Sequence, residues 1–333
     1  MTTMNNASPA SSLSLQKVVW IALLLLAACA LPFFVSNYSV FQFSMVLSYA
    51  IALVGLNILI GYSGQISLGH GAFLAIGAYT SAILMDKMDI PYWMTIPIAA
   101  FVCLVVGFLF GLPALRLEGH YLALATFALA VALPQLLKFK HLEFLTGGVQ
   151  GIVIMKPDPP WQTLFGLKLN SDRWLYFFTL AVTVVMFVIG WNLIRGRVGR
   201  ALIAIRDQPI AAASMGINTP LYKSLAFGVS AMFTGVAGAL SAILVAFVAP
   251  DSFTVFLSIT LLVGMVIGGV TSLPGALYGA IFIQFIPNIA DQISKAAPWA
   301  IYGTMLILFM YTMPTGIAGA LRLLGEKFRP TRS

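Results

Sequence analysis

Runs of about 20 apolar residues recur along the whole chain, and each is long enough to cross a hydrocarbon core of roughly 30 Å. Ten such runs stand at about 17–36, 41–61, 66–85, 93–113, 120–137, 174–194, 222–248, 254–270, 275–291 and 298–318. Lipid offers no partner to backbone N–H and C=O groups, so segments of this kind close their hydrogen bonds internally as helices. The composition leaves no other route. Of 333 residues, 60% are hydrophobic and only 8% charged, against roughly a quarter charged in a soluble domain. The expected fold class is all-α: a polytopic transmembrane helical bundle of about ten spans, several of them interrupted by Gly or Pro.

The polar remainder sets the organisation. Residues 1–16 are rich in Ser, Asn and Thr without apolar period and read as a disordered tail. Residues 17–321 form the transmembrane domain, and 322–333 a basic tail. The net charge is +8, but the basic residues form no stripe and sit in loops and tail, so no nucleic-acid partner is expected. The loop 195–223 holds Arg195, Arg197, Arg200, Arg206 and Lys223 against Asp207. The tail holds Arg322, Lys327, Arg329 and Arg332 against Glu326. Both are expected to be cytoplasmic, and counting spans back puts the N-terminus inside as well. Loop 138–173 then lies outside, with Pro157-Asp-Pro-Pro160, Trp161 and Trp174 suggesting a compact loop at the interface. Leu26-Ala27-Ala28-Cys29 resembles a lipoprotein box. Only Lys17 precedes it and the apolar run continues to Val35, so an uncleaved first helix is expected.

No catalytic residues emerge. There is no glycine-rich phosphate loop ending in Gly-Lys-Ser/Thr, so the chain is not expected to hydrolyse ATP. Thr146-Gly147-Gly148-Val149-Gln150-Gly151 lacks the lysine. His70, His120 and His141 have no ligand spacing, Cys29 and Cys103 lie in apolar segments, and neither a metal site nor a bound cofactor is expected. An ion-coupled carrier would need ionisable groups inside the spans, which are nearly free of them.

Two segments break the apolar pattern. In Gly61-Tyr62-Ser63-Gly64-Gln65-Ile66-Ser67-Leu68-Gly69-His70-Gly71, polar side chains and four glycines interrupt a span. Irregular backbone at membrane depth survives only inside protein or along a water-filled cavity. Two readings stand side by side: Ser63, Gln65, Ser67 and His70 line a substrate pathway, or they join helices. Thr126, Asn57 and Gln284 are further pathway candidates. The second segment, 199–218, is too polar to span. Pro209 suits the first turn of a short helix and Gly216 its stop. Such a helix either docks a soluble partner or rests on membrane lipid.

Ala211-Ala212-x-x-x-Gly216 resembles the core of the coupling motif of ABC importer permeases, with Ile210 where that motif usually opens with Glu. Gly61-Tyr-Ser-Gly-Gln-Ile-Ser-Leu-Gly-His70, Leu115-Arg-Leu-Glu-Gly-His-Tyr-Leu-Ala123 and Thr146-Gly-Gly-Val-Gln-Gly151 are similar to the branched-chain amino acid ABC transporter permease family, LivM type. So are Gly199-Arg-Ala-Leu-Ile-Ala-Ile-Arg206, Ala213-Ser-Met-Gly-Ile217 and Gly268-Gly-Val-Thr-Ser-Leu-Pro-Gly275, in order across residues 45–320. The resemblance implies a non-enzymatic permease subunit of the bacterial inner membrane. It implies two cytoplasmic ATPase subunits that hydrolyse ATP, a second related permease and a periplasmic substrate-binding protein. Ala211, Ala212 and Gly216 would form the ATPase docking face, with Arg200, Arg206 and Asp207 around it. The implied cargo is a branched-chain or related amino acid. Relatives that move urea or short amides give the alternative, and a secondary transporter or passive channel stands further off.

Overall fold

The computed structural model describes residues 15–114, 119–159, 163–164, 167–168, 170–293, 298–313 and 315–327. Most of the expected disordered tail, Leu115–Glu118 of one matched motif, Trp161, Arg329 and Arg332 lie outside the described residues.

Among the described residues, fourteen α-helices follow in order. They are α1 (Leu15–Phe34), α2 (Asn37–Asn57), α3 (His70–Met88), α4 (Tyr92–Ala114), α5 (His120–Leu137), α6 (Glu143–Thr146) and α7 (Ser171–Arg195). Then come α8 (Arg197–Asp207), α9 (Pro209–Ser214), α10 (Thr219–Val245), α11 (Val255–Gly268), α12 (Leu273–Ile293), α13 (Pro298–Thr312) and α14 (Gly316–Lys327). Two short antiparallel ribbons complete the described chain, β1 (Ile152–Val153) with β4 (Phe247–Val248) and β2 (Thr163–Leu164) with β3 (Leu167–Lys168). The molecule is an all-α membrane helical bundle.

Helix α10 is its axis, packed against α2, α3 and α4. Between helices in lipid the hydrophobic effect gives little attraction, so close approach and hydrogen bonds must hold them. The sequence provides for both. A Cβ on Gly77 would overlap the Gly235 backbone, and one on Gly238 the Leu74 carbonyl, so α3 and α10 touch backbone to backbone. Gly107 and Gly111 do the same for α4, against Ala231 and Ser224. Gly264 and Gly268 of α11 lie against Gly279 and Gly275 of α12. Ser48 Oγ adds a 2.7 Å bond to the Ala237 carbonyl across α2 and α10. Phe73, Phe227, Phe233, Leu53 and Leu240 fill the fully buried centre.

Contacts sort into two ends of α10, whose 27 residues span about 40 Å. At one end β1 pairs with β4, Lys138 bridges Asp251, and Trp174 Nε1 donates to Tyr92 Oη at 2.9 Å. Loop 138–173 is thereby strapped to the α10–α11 connection. The other end carries the basic segment 195–223.

Among the described residues, six helices are long and apolar enough to cross a membrane: Asn37–Tyr62, Tyr92–Pro113, His120–Leu137, Ser171–Arg195, Thr219–Val245 and Leu273–Gln292. Val255–Gly268 is a shorter apolar helix. The other expected spans differ in a consistent way. The run at 66–85 becomes helical only at His70, because 63–69 is not helical. The run at 254–270 has only 14 helical residues, Val255–Gly268, about 21 Å of rise. The last run divides into α13 and α14 around residue 315, so the expected basic tail begins inside a helix. Hydropathy averages over a window, and a break of a few residues made from Gly, Ser and Thr disappears in it.

Candidate functional site: two helix breaks joined to a basic hairpin

Helix α2 does not end in a regular turn. It widens into a π-helical turn over Ile58–Tyr62, a feature that often marks functional sites. The chain then runs without regular structure to Gly69, with Gly64 at φ +72°, and resumes as α3 at His70. Along 63–67 burial alternates: Ser63, Gln65 and Ser67 are buried, while Gly64 and Ile66 are exposed. The polar side chains therefore point into the subunit, and the outward surface of the break is a glycine and an isoleucine.

Inside, the polar groups are paired. Gln65 Nε2 donates to Ser63 Oγ at 2.7 Å and to the Lys223 carbonyl at 3.2 Å. Ser230 Oγ donates to the Gly55 carbonyl at 2.6 Å, which commits its only proton. His70 Nε2, 2.7 Å from Ser230 Oγ, must then be the protonated nitrogen. Its Nδ1 pairs with Ser67 Oγ at 3.1 Å, and Ser67 Oγ accepts from the Gly69 amide. The ring is thus held at both nitrogens. Thr126 Oγ1 takes the Leu68 amide at 2.9 Å and donates to the Ala123 carbonyl, tying α5 to the break. Ser258 of α11 takes the Gly71 amide at 2.8 Å. Each bond satisfies a group that lipid could not. Lys223 and Ser230 lie seven residues apart on α10, so the break descends about 10 Å from the basic end.

A second break joins the first. Between α11 and α12, Gly269 has φ +116° and Thr271 φ +66°. A β-branched residue in the left-handed region is strained and needs its surroundings to hold it. Asn57 does so, its Oδ1 accepting from the Thr271 amide at 2.8 Å and its Nδ2 donating to the Ser272 carbonyl at 3.0 Å. Tyr62 Oη donates to the Thr271 carbonyl at 2.8 Å. Gly316, at the start of α14, packs against Gly269.

The basic segment folds as a hairpin. Helix α8 turns Gly199, Ala201, Leu202 and Ile205 inward and Arg197 and Arg200 outward, while the partly exposed Arg206 reaches along the surface to the break. Gln208 leaves helical geometry, Pro209 opens α9, and Gly216 closes it at φ +83°, with open space where a side chain would sit. Ala211 and Gly216 are exposed, but Ala212 is buried, so the three expected docking residues do not share one surface. The outward surface is built instead by Ile210 and Met215, 82% and 85% exposed, beside Ala211. Arg200 Nη1 donates to the Arg195 carbonyl at 3.1 Å. Arg206 Nε pairs with Asp207 at 2.9 Å, and its Nη1 donates to the Gly61 carbonyl at 2.6 Å.

Six of the seven pathway candidates thus meet at the breaks: Asn57, Ser63, Gln65, Ser67, His70 and Thr126. Gln284 stands apart, half-buried on α12, its carbonyl bonded by Asn288. Sequence reading missed Ser230, Ser258, Tyr62 and Thr271 as members of this network. Thr271 and Ser272 lay inside a recognised motif, Gly268 to Gly275, and the Gly-Val-Thr-Ser-Leu-Pro pattern was the available signal. Nothing local marks Ser230 or Ser258.

A multi-pass helical membrane protein with paired helix breaks and a basic hairpin at one end defines the class. Residues 38–313 match the family model for the branched-chain amino acid transport system / permease component, and the chain belongs to that family. It is 36% identical to the high-affinity branched-chain amino acid transport system permease protein LivM of Escherichia coli strain K12, over 91% of this chain and 75% of that protein. The corresponding LivH protein of Salmonella typhimurium is 25% identical over 82% of this chain and 91% of its own length. BraD of Pseudomonas aeruginosa, a permease protein of the same transport system, is 24% identical over 82% of this chain and 92% of its own. No solved structure matches the chain.

Proposed function

We propose that this chain is one of two permease subunits of an ATP-driven importer that carries branched-chain amino acids across a bacterial inner membrane. Its partner permease is a LivH-like chain, two ATPase subunits dock at the basic end, and a periplasmic binding protein delivers substrate to the end carrying loop 138–173. Both termini are cytoplasmic, and α1, α3, α11 and α13 complete the passage begun by the six long helices. The chain binds no cofactor, and ATP is hydrolysed by its partners.

The hairpin α8–α9 carries this reading. It offers Ile210, Ala211 and Met215 to a soluble partner while its inner face is held by the bundle. An apolar knob with a cationic rim (Arg197, Arg200) suits a protein groove better than water. Closure of the ATPases moves the hairpin, and the permease pair rocks between outward- and inward-open states. The drive comes from the differing affinities of those states for nucleotide and for binding protein. Ser63, Gln65, Ser67, His70, Thr126 and Asn57 hold the break in shape, and Gly64 and Ile66 give the pathway an apolar wall suited to aliphatic side chains. Gln284 lies further along the same passage.

Purification of the tagged chain from its native membrane in mild detergent, followed by mass spectrometry of its companions, tests the proposal. Two ATPase subunits and a second permease in stoichiometric amounts are expected. The chain alone, with leucine uptake that survives ATP depletion, would overturn it.

A further inference from the structure

The end of α2 is closed by a residue from another part of the chain. A helix leaves its last four carbonyls without intrahelical partners, and these must be bonded elsewhere. Here the Ile58, Leu59 and Ile60 carbonyls accept from the amides of Ser63, Gln65 and Gly64. The next carbonyl, Gly61, accepts instead from the Arg206 guanidinium, at 2.6 Å. The aliphatic stem of Arg206 lies over Gly64, where its Cγ would stand 2.8 Å from an added Cβ. A cation at a helix C-terminus also meets the negative end of the helix dipole. Arg206 is the last basic residue of α8, two positions before the turn into α9.

Beyond Gly61 the linkage continues without a gap. Asn57 and Tyr62, on the same two turns, hold Thr271 and Ser272 in the strained α11–α12 break. Side-chain bonds therefore reach segment 57–62 from two sides, Arg206 at the Gly61 carbonyl and Thr271 and Ser272 at Asn57 and Tyr62, and the backbone of the helix end joins them.

We propose that Arg206 is a positioning residue that couples the hairpin to both membrane breaks by capping the π-turn of α2 from outside that helix. Displacement of α8–α9 pulls the guanidinium off the Gly61 carbonyl. The uncapped turn can then rewind, which moves 63–67 and loosens the hold on Thr271. Arg206 acts through the backbone at the break and is not part of the outward docking surface. The inference rests on the importer reading above and assigns the step that follows docking.

Two measurements test it. The first needs no partner: hydrogen exchange of the purified chain, followed by mass spectrometry of peptides covering 58–68. Arg206→Ala is expected to speed exchange at Ser63, Gly64 and Gln65 by about tenfold, the scale on which coupled sites modulate one another. Arg200→Ala, which removes only a bond to the Arg195 carbonyl, should leave these amides unchanged. Unchanged exchange in Arg206→Ala would overturn the cap. The second uses the whole complex with its binding protein in proteoliposomes, reading radiolabelled leucine imported per ATP hydrolysed. Arg206→Ala should keep its ATPase subunits and its hydrolysis rate but lose about tenfold in import per ATP. Arg206→Lys, which can still donate to Gly61, should recover part of it. Unchanged import per ATP, or loss of the ATPase subunits, would sink the coupling role and leave Arg206 as scaffold or docking contact. A wild-type complex lacking ATPases would instead refute the importer reading, and the exchange result would still judge the cap.

Discussion

Helices α10 and α5 are comparably apolar, yet α10 is almost wholly buried and α5 mostly exposed. Helix α5 touches the bundle along one stripe, Leu122, Thr126, Ala130 and Pro134, each four residues after the last. Leu129, Leu133 and Leu137 flank that stripe against the core, and the opposite surface, including Tyr121, Leu124, Phe127 and Val131, is free for lipid or a partner. Helix α10 is buried all round because Gly228, Gly235 and Gly238, with a run of alanines, let three neighbours reach its backbone. Hydropathy therefore says only that a helix lies in the membrane. Side-chain size and the reach of its polar groups decide whether it lies at the centre or the edge.

The largest effect should come from filling the centre. Gly238→Leu forces α3 off α10, at a cost of about 3 kcal/mol, and size-exclusion profiles of detergent extracts should lose the folded peak. Leu124→Ala on the free face of α5 should stay within about 0.5 kcal/mol of wild type. A folded Gly238→Leu protein would mean that the two regions differ less than their packing indicates. A smaller loss is expected at the seam between breaks. Asn57→Leu leaves the Thr271 amide and Ser272 carbonyl without their partner, at about 1–3 kcal/mol, read as a lower melting temperature in detergent. Thr260→Val, which removes a hydroxyl bonded to its own helix at the Phe256 carbonyl, is the control and should barely shift it. The smallest effect belongs to the surface. Lys138→Ala removes a pair whose Asp251 side chain is 69% exposed; it should cost at most about 1 kcal/mol, and the difference from wild type should vanish at high salt.

The sequence made some of the site legible. The polar interruption from Gly61 to Gly71 is visible because polar residues in an apolar span need a reason, and that stretch is the first break. The short helix between Pro209 and Gly216 is visible because proline and glycine act through their own backbone geometry, which needs no tertiary partner. The direction in which Ser63, Gln65 and Ser67 point is not legible. Burial alternates along 63–67, and only packing against α10 decides which set of residues is inward. Arg206 reads as a loop cation near Asp207, since nothing in its neighbours states that a helix end lies within reach of its side chain.

What the sequence determined by itself follows from local chemistry. An apolar run must be helical in lipid, a proline after a polar turn suits the first turn of a helix, and a glycine can take a positive φ. What the tertiary structure decided is everything that depends on a partner distant in the chain. Ser230 completes the His70 network from 160 residues away, Asn57 holds Thr271 from 214 residues away, and Arg206 caps Gly61 from 145. A buried polar group is stable only when bonded, but its own sequence neighbourhood does not record where the bonding partner will stand.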